Sequence, residues 1–202
     1  MSRLFLVRHG ITKLHQDDRF WGSTDVTLSD KGIRQAEQLR DRLAKEKIKA
    51  VYTSTLSRAR LTAEIITSKR KLDIHSRKEL CECNFGYVEG LTYDEINIRY
   101  PELAQVLSSF DTSVRFPGGE SFEDLDNRVQ KFLVRLSKHK PRETVLIVAH
   151  GSPLKIIICH LLGIDIKHWR QLRLDLASLS IMDTFPNGGI LNSLNDVSHL
   201  TF

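Results

Sequence analysis

Two short apolar runs near opposite ends of the chain are each followed by a histidine and a glycine. Residues 4–7 lead into Arg8, His9 and a glycine, and residues 145–149 lead into His150 and a glycine. A short apolar run closed by a glycine is typical of a buried strand that ends in a loop. Because ligands of open α/β sheets bind at the carboxyl ends of the strands, both histidines are predicted to lie at such a binding edge.

The Arg8–His9 pair suits nucleophilic attack on a phosphoryl group. Histidine offers a nitrogen that is neutral near physiological pH, and arginine offers a planar fork that matches phosphate oxygens. A further phosphate ligand is predicted at Arg58, which follows a strand over residues 48–54 and opens a helix over residues 57–69. The backbone N–H groups at the start of that helix also favour a phosphate.

Strand-like and helix-like segments alternate along the chain, which predicts an α/β fold with a mostly parallel central sheet. Ser29 is predicted to cap a helix over residues 30–46, and Thr92 with Glu95 forms a capping box for a helix over residues 93–99. The other predicted elements are a strand over residues 72–74, helices starting after Ser121 and over residues 154–162, and strands over residues 178–185 and 190–194.

The length of 202 residues fits one domain over residues 1–202. No apolar run approaches a membrane span and no signal-peptide pattern follows Met1. The odd count of three cysteines favours a reducing compartment, so we expect a cytoplasmic protein. The net charge of +5 comes from scattered basic residues without an aromatic pattern, which favours a solvated surface over a nucleic-acid site.

A further motif lies between the two histidine segments. Leu80-Cys81-Glu82 is followed by Phe85-Gly86 and Glu89-Gly90. With the motifs above, these residues resemble the histidine phosphatase superfamily, over residues 3–199. The resemblance implies a three-layer α/β/α fold of the phosphoglycerate mutase type. The irregular region over residues 78–120 is predicted to form a lid-like insertion over the active site, and the resemblance implies the same placement.

The resemblance also implies the roles of the site residues. His9 is the expected nucleophile, and Glu82 is expected to protonate the leaving oxygen and then to activate water. Arg8, Arg58 and His150 are expected to supply cations and hydrogen-bond donors to the phosphoryl oxygens. The predicted substrate-binding residues are Arg8, Gly10, Thr12, His15, Gly22, Ser23, Arg58, His150 and Gly151.

Three assignments stay open at this stage. Glu79 and Glu89 are close enough in sequence to Glu82 to compete for its role. His15 stands where the family usually has an asparagine, so it is expected to donate to the phosphate instead. Trp21 stands where the family often has a glutamine, and it either forms an apolar wall of the site or packs internally.

The predicted function is a metal-independent phosphatase that hydrolyses small phosphomonoesters through a phosphohistidine. The alternatives are a phosphoglycerate mutase and a non-catalytic phosphate-binding relative. Neither a metal nor another cofactor is expected, since guanidinium and imidazole groups supply the charge. The expected partner is a small phosphorylated metabolite such as α-ribazole 5′-phosphate or a sugar or glycerate phosphate, with no nucleic acid and no membrane, and the expected state is a monomer or homodimer.

Overall fold

A computed structural model describes residues 2–15, 19–108, 112 and 114–201. Three 3₁₀ helices within them cover Lys78–Leu80, Gly86–Val88 and Ile166–Gln171. The strands and α-helices in chain order are β1 (Ser2–Arg8), α1 (Asp30–Arg42), β2 (Ile48–Thr53), α2 (Ser57–Thr67), β3 (Ile74–Ser76), α3 (Tyr93–Arg99), α4 (Pro101–Ser108), α5 (Phe122–Leu136), β4 (Thr144–Ala149), α6 (Gly151–Leu162), β5 (Leu179–Phe185) and β6 (Gly188–Asp196).

The six strands of the described residues form one sheet in the order β3-β2-β4-β1-β5-β6. The four strands from β3 to β1 run parallel, and β5 and β6 add an antiparallel hairpin at one edge. Arg8 pairs with Ala149, and Thr53 pairs with Val148, so the carboxyl ends of β1, β4 and β2 lie side by side. The predicted α/β fold with a mostly parallel sheet is confirmed.

Alternate side chains of the central strands enter two different cores. On β1, Leu4 and Leu6 face a core with α3 to α6, whereas Phe5 and Val7 face a core with α1 and α2. Successive side chains of a strand point to opposite faces, so a strand covered on both faces is apolar throughout. The result is the expected order of layers, with helices on both sides of the sheet.

Local capping signals set several helix starts. The Ser29 hydroxyl accepts a hydrogen bond from the Gly32 amide at 3.2 Å, and Thr92 and Glu95 complete a reciprocal capping box. The helix over residues 93–99 is confirmed. The predicted helix over residues 30–46 is too long, since α1 ends at Arg42.

Other elements also differ from their predicted bounds. Helix α2 ends at Thr67 and not at residue 69, and strand β6 covers Gly188–Asp196 and not residues 190–194. Strand β3 covers Ile74–Ser76 instead of residues 72–74, because its position follows from pairing with β2. Helix α6 begins at Gly151, three residues before its predicted start. His150 is its extended N-cap, and Pro153 fits the first turn because its missing N–H has no intrahelical partner there.

The described residues of the segment over residues 78–120 pack against the rest of the described chain. Leu80, Val88, Ile96 and Phe116 are buried in the larger core with residues of α5 and α6. Residues 109–111 and 113 of the predicted insertion lie outside the described residues. Its action as a lid, and the single-domain organisation over residues 1–202, stay predictions. No helix in the described ranges has the length and apolar character needed to cross a bilayer.

Candidate active site

The candidate residues lie at one edge of the sheet, just after the carboxyl ends of three neighbouring parallel strands. Arg8 ends β1 and His9 follows it, α2 brings Arg58 after β2, and His150 follows β4. The rings of His9 and His150 lie 5.0 Å apart between centroids, and Arg58 Nε lies 3.3 Å from His150 Nδ1. Because β4 lies between β1 and β2, the strand order brings together residues that are distant in sequence.

The His9 imidazole is oriented by its own backbone neighbour. Its Nδ1 lies 2.8 Å from the carbonyl oxygen of Gly10, which can only accept, so Nδ1 carries the proton. Burial, followed by the positive charges of Arg58 and Arg8, holds the pKa of His9 well below its usual range. His9 is therefore neutral at physiological pH, with the lone pair on Nε2 available for attack.

The two guanidinium groups, that of Arg58 buried and that of Arg8 partly buried, are anchored on carbonyl oxygens. Arg58, which is 2% exposed, donates to the carbonyl of Thr24 at 2.8 Å and to that of Gly22 at 2.6 Å. Arg8 donates to the carbonyl of Leu174 at 2.7 Å. Among the described residues, neither arginine has a carboxylate within 4.0 Å, and Arg8 Nε is buried without a hydrogen-bond partner. Buried charges normally have a counter-charge, so this pair is suited to an anionic ligand.

His150 contributes hydrogen bonds but no positive charge. Burial, then the charges of Arg58, His9 and Arg8, holds its pKa well below the usual range. Its Nδ1 accepts from Arg58 Nε, and its Nε2 lies 2.7 Å from the Ser54 hydroxyl. The expectation that His150 adds a cation is thus corrected, because an imidazole buried beside two arginines stays neutral.

The Glu82 carboxylate lies at the same edge. Its Oε1 accepts from the Cys83 amide at 2.9 Å, and its Oε2 accepts from the Ser152 amide at 3.3 Å. A methyl group built on Gly151 would lie 3.7 Å from Glu82 Oε2 and 3.7 Å from Arg8 Nε. Glu82 therefore faces the same space as the unpaired donor of Arg8.

The two rival glutamates are engaged elsewhere. Glu89 accepts from the amides of Ser23 at 2.6 Å and Thr24 at 2.8 Å and from both hydroxyls. Burial alone would raise the pKa of Glu89, but these hydrogen bonds hold it below the ordinary value. The Glu79 carboxylate forms an ion pair with Arg135, with 3.7 Å between Glu79 Oε1 and Arg135 Nη2. Neither carboxylate lines the cavity described next.

A cavity of about 110 Å³ opens above these groups. Of the predicted residues, Arg8, His9, Thr12, His15, Arg58 and Glu82 line it. His150 lies behind His9 and Arg58. The predicted residues Gly10, Gly22, Ser23 and Gly151 do not line it: the Gly10 amide donates to Thr62, Gly22 holds Arg58, and Ser23 is bound to Glu89.

Sequence reasoning missed part of the cavity wall. Arg19 lines it and is anchored on the Gly90 carbonyl at 2.6 Å and on Glu95 at 2.9 Å. Trp21, for which the sequence left both a wall and a packing role open, also lines the cavity. Its Nε1 is buried and has no hydrogen-bond partner in the part of the chain that the structure describes. Arg19 carries no motif signal, because its place follows from contacts with residues more than 70 positions away.

A metal site is not built into this part of the molecule. In the ranges that the structure describes, no group of three or more His, Cys, Asp and Glu side chains is placed to hold a metal ion. The positive charge at the cavity comes from guanidinium groups.

Comparisons with known proteins agree with this geometry. Phosphoserine phosphatase 1 of Hydrogenobacter thermophilus is 32% identical over 200 residues, 99% of this chain and 95% of that protein. Phosphoglycerate mutase-like protein 4 of Arabidopsis thaliana is 37% identical over 157 residues, 76% of this chain and 68% of that protein. The crystal structure of the α-ribazole phosphatase from Shigella flexneri has a TM-score of 0.87 at 31% identity and covers 96% of both chains. The model of the histidine phosphatase superfamily (branch 1) matches residues 4–197, and the chain belongs to this family.

Proposed function

We propose that this histidine phosphatase hydrolyses small phosphomonoesters through a phosphohistidine on Nε2 of His9. The observation that carries the proposal is a neutral, oriented imidazole beside two guanidinium groups, Arg58 buried and Arg8 partly buried, with no carboxylate within 4.0 Å among the described residues. A phosphomonoester carries about two negative charges near neutral pH. Such a group supplies a negative charge in direct contact with Arg8 and Arg58, which no described carboxylate approaches within 4.0 Å.

In the first step, His9 Nε2 forms a bond to phosphorus while the bond from phosphorus to the ester oxygen breaks. Arg8 and Arg58 stabilise the equatorial oxygens, where charge is spread in the transition state. Glu82 gives its proton to the departing oxygen. In the second step, Glu82 accepts a proton from water, which attacks phosphorus and releases inorganic phosphate from His9.

His150 serves this reaction by holding Arg58. Its Nδ1 accepts from Arg58 Nε, and the carbonyls of Gly22 and Thr24 fix the other two nitrogens of the guanidinium group. A guanidinium fixed at all three nitrogens is oriented before substrate arrives, which avoids an ordering cost during the reaction.

The substrate is proposed to be a small phosphorylated metabolite. The cavity of about 110 Å³ suits a phosphoryl group held beside His9, Arg8 and Arg58, with the alcohol toward its mouth. Two relatives that match over nearly their full length are named as phosphatases of phosphoserine and of α-ribazole phosphate. Both support hydrolysis over the mutase reaction. A cytoplasmic location, the monomeric or dimeric state and the absence of nucleic-acid or membrane partners remain predictions.

Trapping the phosphoenzyme tests the proposal. After rapid mixing with a labelled phosphomonoester and quenching at alkaline pH, we expect an acid-labile, base-stable label on the peptide that contains His9. His9→Ala should abolish the label and the turnover, whereas His15→Asn, in the same cavity wall, should retain the label. Label on a serine or aspartate, or full turnover by His9→Ala, would refute the proposed intermediate.

Leaving-group dependence tests the role of Glu82. Glu82→Gln keeps the shape and removes the transferable proton, so the burst of His9 phosphorylation by an alkyl phosphate should slow by about 10²–10⁴-fold. An aryl phosphate with an acidic phenol needs no proton, so its burst should change little. Glu79→Gln is the matched control and should leave both bursts unchanged. Equal losses on the two esters would mean that Glu82 only positions substrate.

A further inference from the structure

The backbone around Glu82 is held by an arginine that lies outside the cavity. Arg128, on α5, donates from Nη1 to the carbonyl of Glu79 at 2.8 Å and from Nη2 to the carbonyl of Glu82 at 3.0 Å. Arg128 does not line the cavity. Its hydrogen bonds therefore act on the reaction through the segment that it holds, and its charge acts on the site only from a distance, on His150.

A carboxylate fixes Arg128 in turn. Glu120 Oε1 accepts from Arg128 Nε at 2.9 Å, and Oε2 accepts from Nη2 at 3.1 Å. Glu120 Oε2 also accepts from the Asn84 amide at 2.9 Å. The two side chains, 16% and 25% exposed, thus hold the backbone at residues 79, 82 and 84, on both sides of the proposed proton donor.

The segment needs such support because its own structure provides little. The 3₁₀ helix Lys78–Leu80 ends at Cys81, which is extended, and residues 82–85 form neither helix nor strand. A proton donor must lie within hydrogen-bond reach of the leaving oxygen, and an error of 1 Å can cost about 10²-fold in rate. Planar arginine forks suit this task, because they offer several donors in a rigid plane.

We propose that Arg128 is a positioning residue for proton transfer, one that holds the Glu82 carboxylate at the leaving oxygen. The inference rests on the role proposed above for Glu82. In this proposal, the ion pair between Arg128 and Glu120 aligns Glu82, the general acid, with the leaving oxygen. The expected signature is a loss of rate that grows with the basicity of the leaving alcohol, which a general loosening of the fold would not produce.

The first test compares two arginine-to-lysine changes on the same helix. Lysine keeps the charge at residue 128 but lacks the planar fork, so Arg128→Lys should slow the alkyl-phosphate burst by roughly 10–100-fold and leave the aryl burst nearly unchanged. Arg135→Lys is the matched control. Its guanidinium lies on the same helix and contacts the Glu79 side chain at 3.7 Å, but not the backbone of Glu82. Both of its bursts should stay unchanged.

The second test places Arg128→Lys in the Glu82→Gln background. If Arg128 acts through Glu82, the added change should not slow the alkyl burst further. A further loss equal to that of Arg128→Lys alone would overturn the inference, and so would equal losses by Arg128→Lys on alkyl and aryl esters.

Should Arg128→Lys fail to fold, Glu120→Gln removes the opposite charge and keeps the side-chain shape. It should give a smaller loss that is again confined to the alkyl ester, and an equal loss on both esters would count against the inference. Failure of the underlying function is separately visible. If Glu82→Gln does not slow the alkyl burst more than the aryl burst, the assignment of Glu82 as proton donor is wrong. If Glu82→Gln slows the alkyl burst selectively but Arg128→Lys does not, only the positioning role of Arg128 is overturned.

Discussion

A single methyl group at Gly22 should disturb the phosphate site from outside the cavity. A Cβ built there would lie 2.0 Å from the carbonyl oxygen of Cys83, whereas real Cβ contacts essentially never fall below 3.0 Å. Gly22→Ala must therefore move one of the two backbone segments by about 1 Å, the difference between these distances. The carbonyl of Gly22 holds Arg58 Nη2 at 2.6 Å, and we expect the Gly22 segment to move, which would lengthen that hydrogen bond beyond its normal range.

The expected magnitude follows from that hydrogen bond. Hydrogen bonds to charged groups contribute about 1.5–3 kcal/mol, and each 1.4 kcal/mol changes an equilibrium constant about tenfold. Gly22→Ala weakens one of the three anchors of Arg58, and if that hydrogen-bond energy is lost from phosphate binding, phosphate should bind about 10–100-fold more weakly. Overpacking should also lower the free energy of unfolding by about 1–3 kcal/mol.

Calorimetric titration with inorganic phosphate, combined with denaturant unfolding, measures both effects. Gly163→Ala is the matched control. Gly163 has φ +66° with no atom near its built Cβ, so alanine there should cost about 1–2 kcal/mol of stability through backbone strain alone. Its phosphate affinity should stay normal. If Gly22→Ala loses as much stability as this control but binds phosphate normally, the proposed link between the Gly22 carbonyl and Arg58 is wrong.

Three further outcomes are expected. Exhaustive chelation should leave activity intact because Arg8 and Arg58 supply the positive charge, and activity that is lost and then restored by Mg²⁺ or Zn²⁺ would contradict this. Inorganic phosphate at 100 times its Kd should raise the free energy of unfolding by about 2.7 kcal/mol, and Arg8→Gln should lose most of that gain in thermal unfolding assays. The folded-state pKa values of His9 and His150 lie well below 6.5, so the unfolded chain binds protons first as the pH falls. Stability in denaturant titrations should therefore be full above pH 6.5 and decrease below it, and His9→Asn should flatten this dependence.

Local signals predicted the fold well wherever a residue acts on its immediate neighbours. The capping box of Thr92 and Glu95 set the start of α3 because both hydrogen bonds close within one turn. Strand β3 was misplaced because its position depends on pairing with β2, some twenty residues away. The periodicity of apolar residues along the sequence does not show which residues of β3 pair with β2.

The residues of the candidate site also fall into two groups, those that local sequence predicts and those that contacts with distant residues position. His9 and Arg58 follow apolar strands, so their positions at the edge of the sheet were predictable from sequence. Ser23 was expected to bind substrate, but its amide and hydroxyl both donate to Glu89, 66 residues further along the chain. Arg128 looks like any other charged residue on an amphipathic helix, and only its distances to the Glu79 and Glu82 carbonyls distinguish it.

The carbonyl anchors of Arg8 and Arg58 have a consequence for which esters the protein accepts. A carbonyl orients a guanidinium but leaves its full charge, so the positive charges of Arg8 and Arg58 are offset only by carboxylates farther away, chiefly Glu82. A dianionic monoester balances both. A phosphodiester or a sulfate ester brings a single negative charge and should gain less from the two guanidinium groups when it binds. We therefore expect discrimination between ester classes at binding, through the number of charges, before any bond to His9 forms.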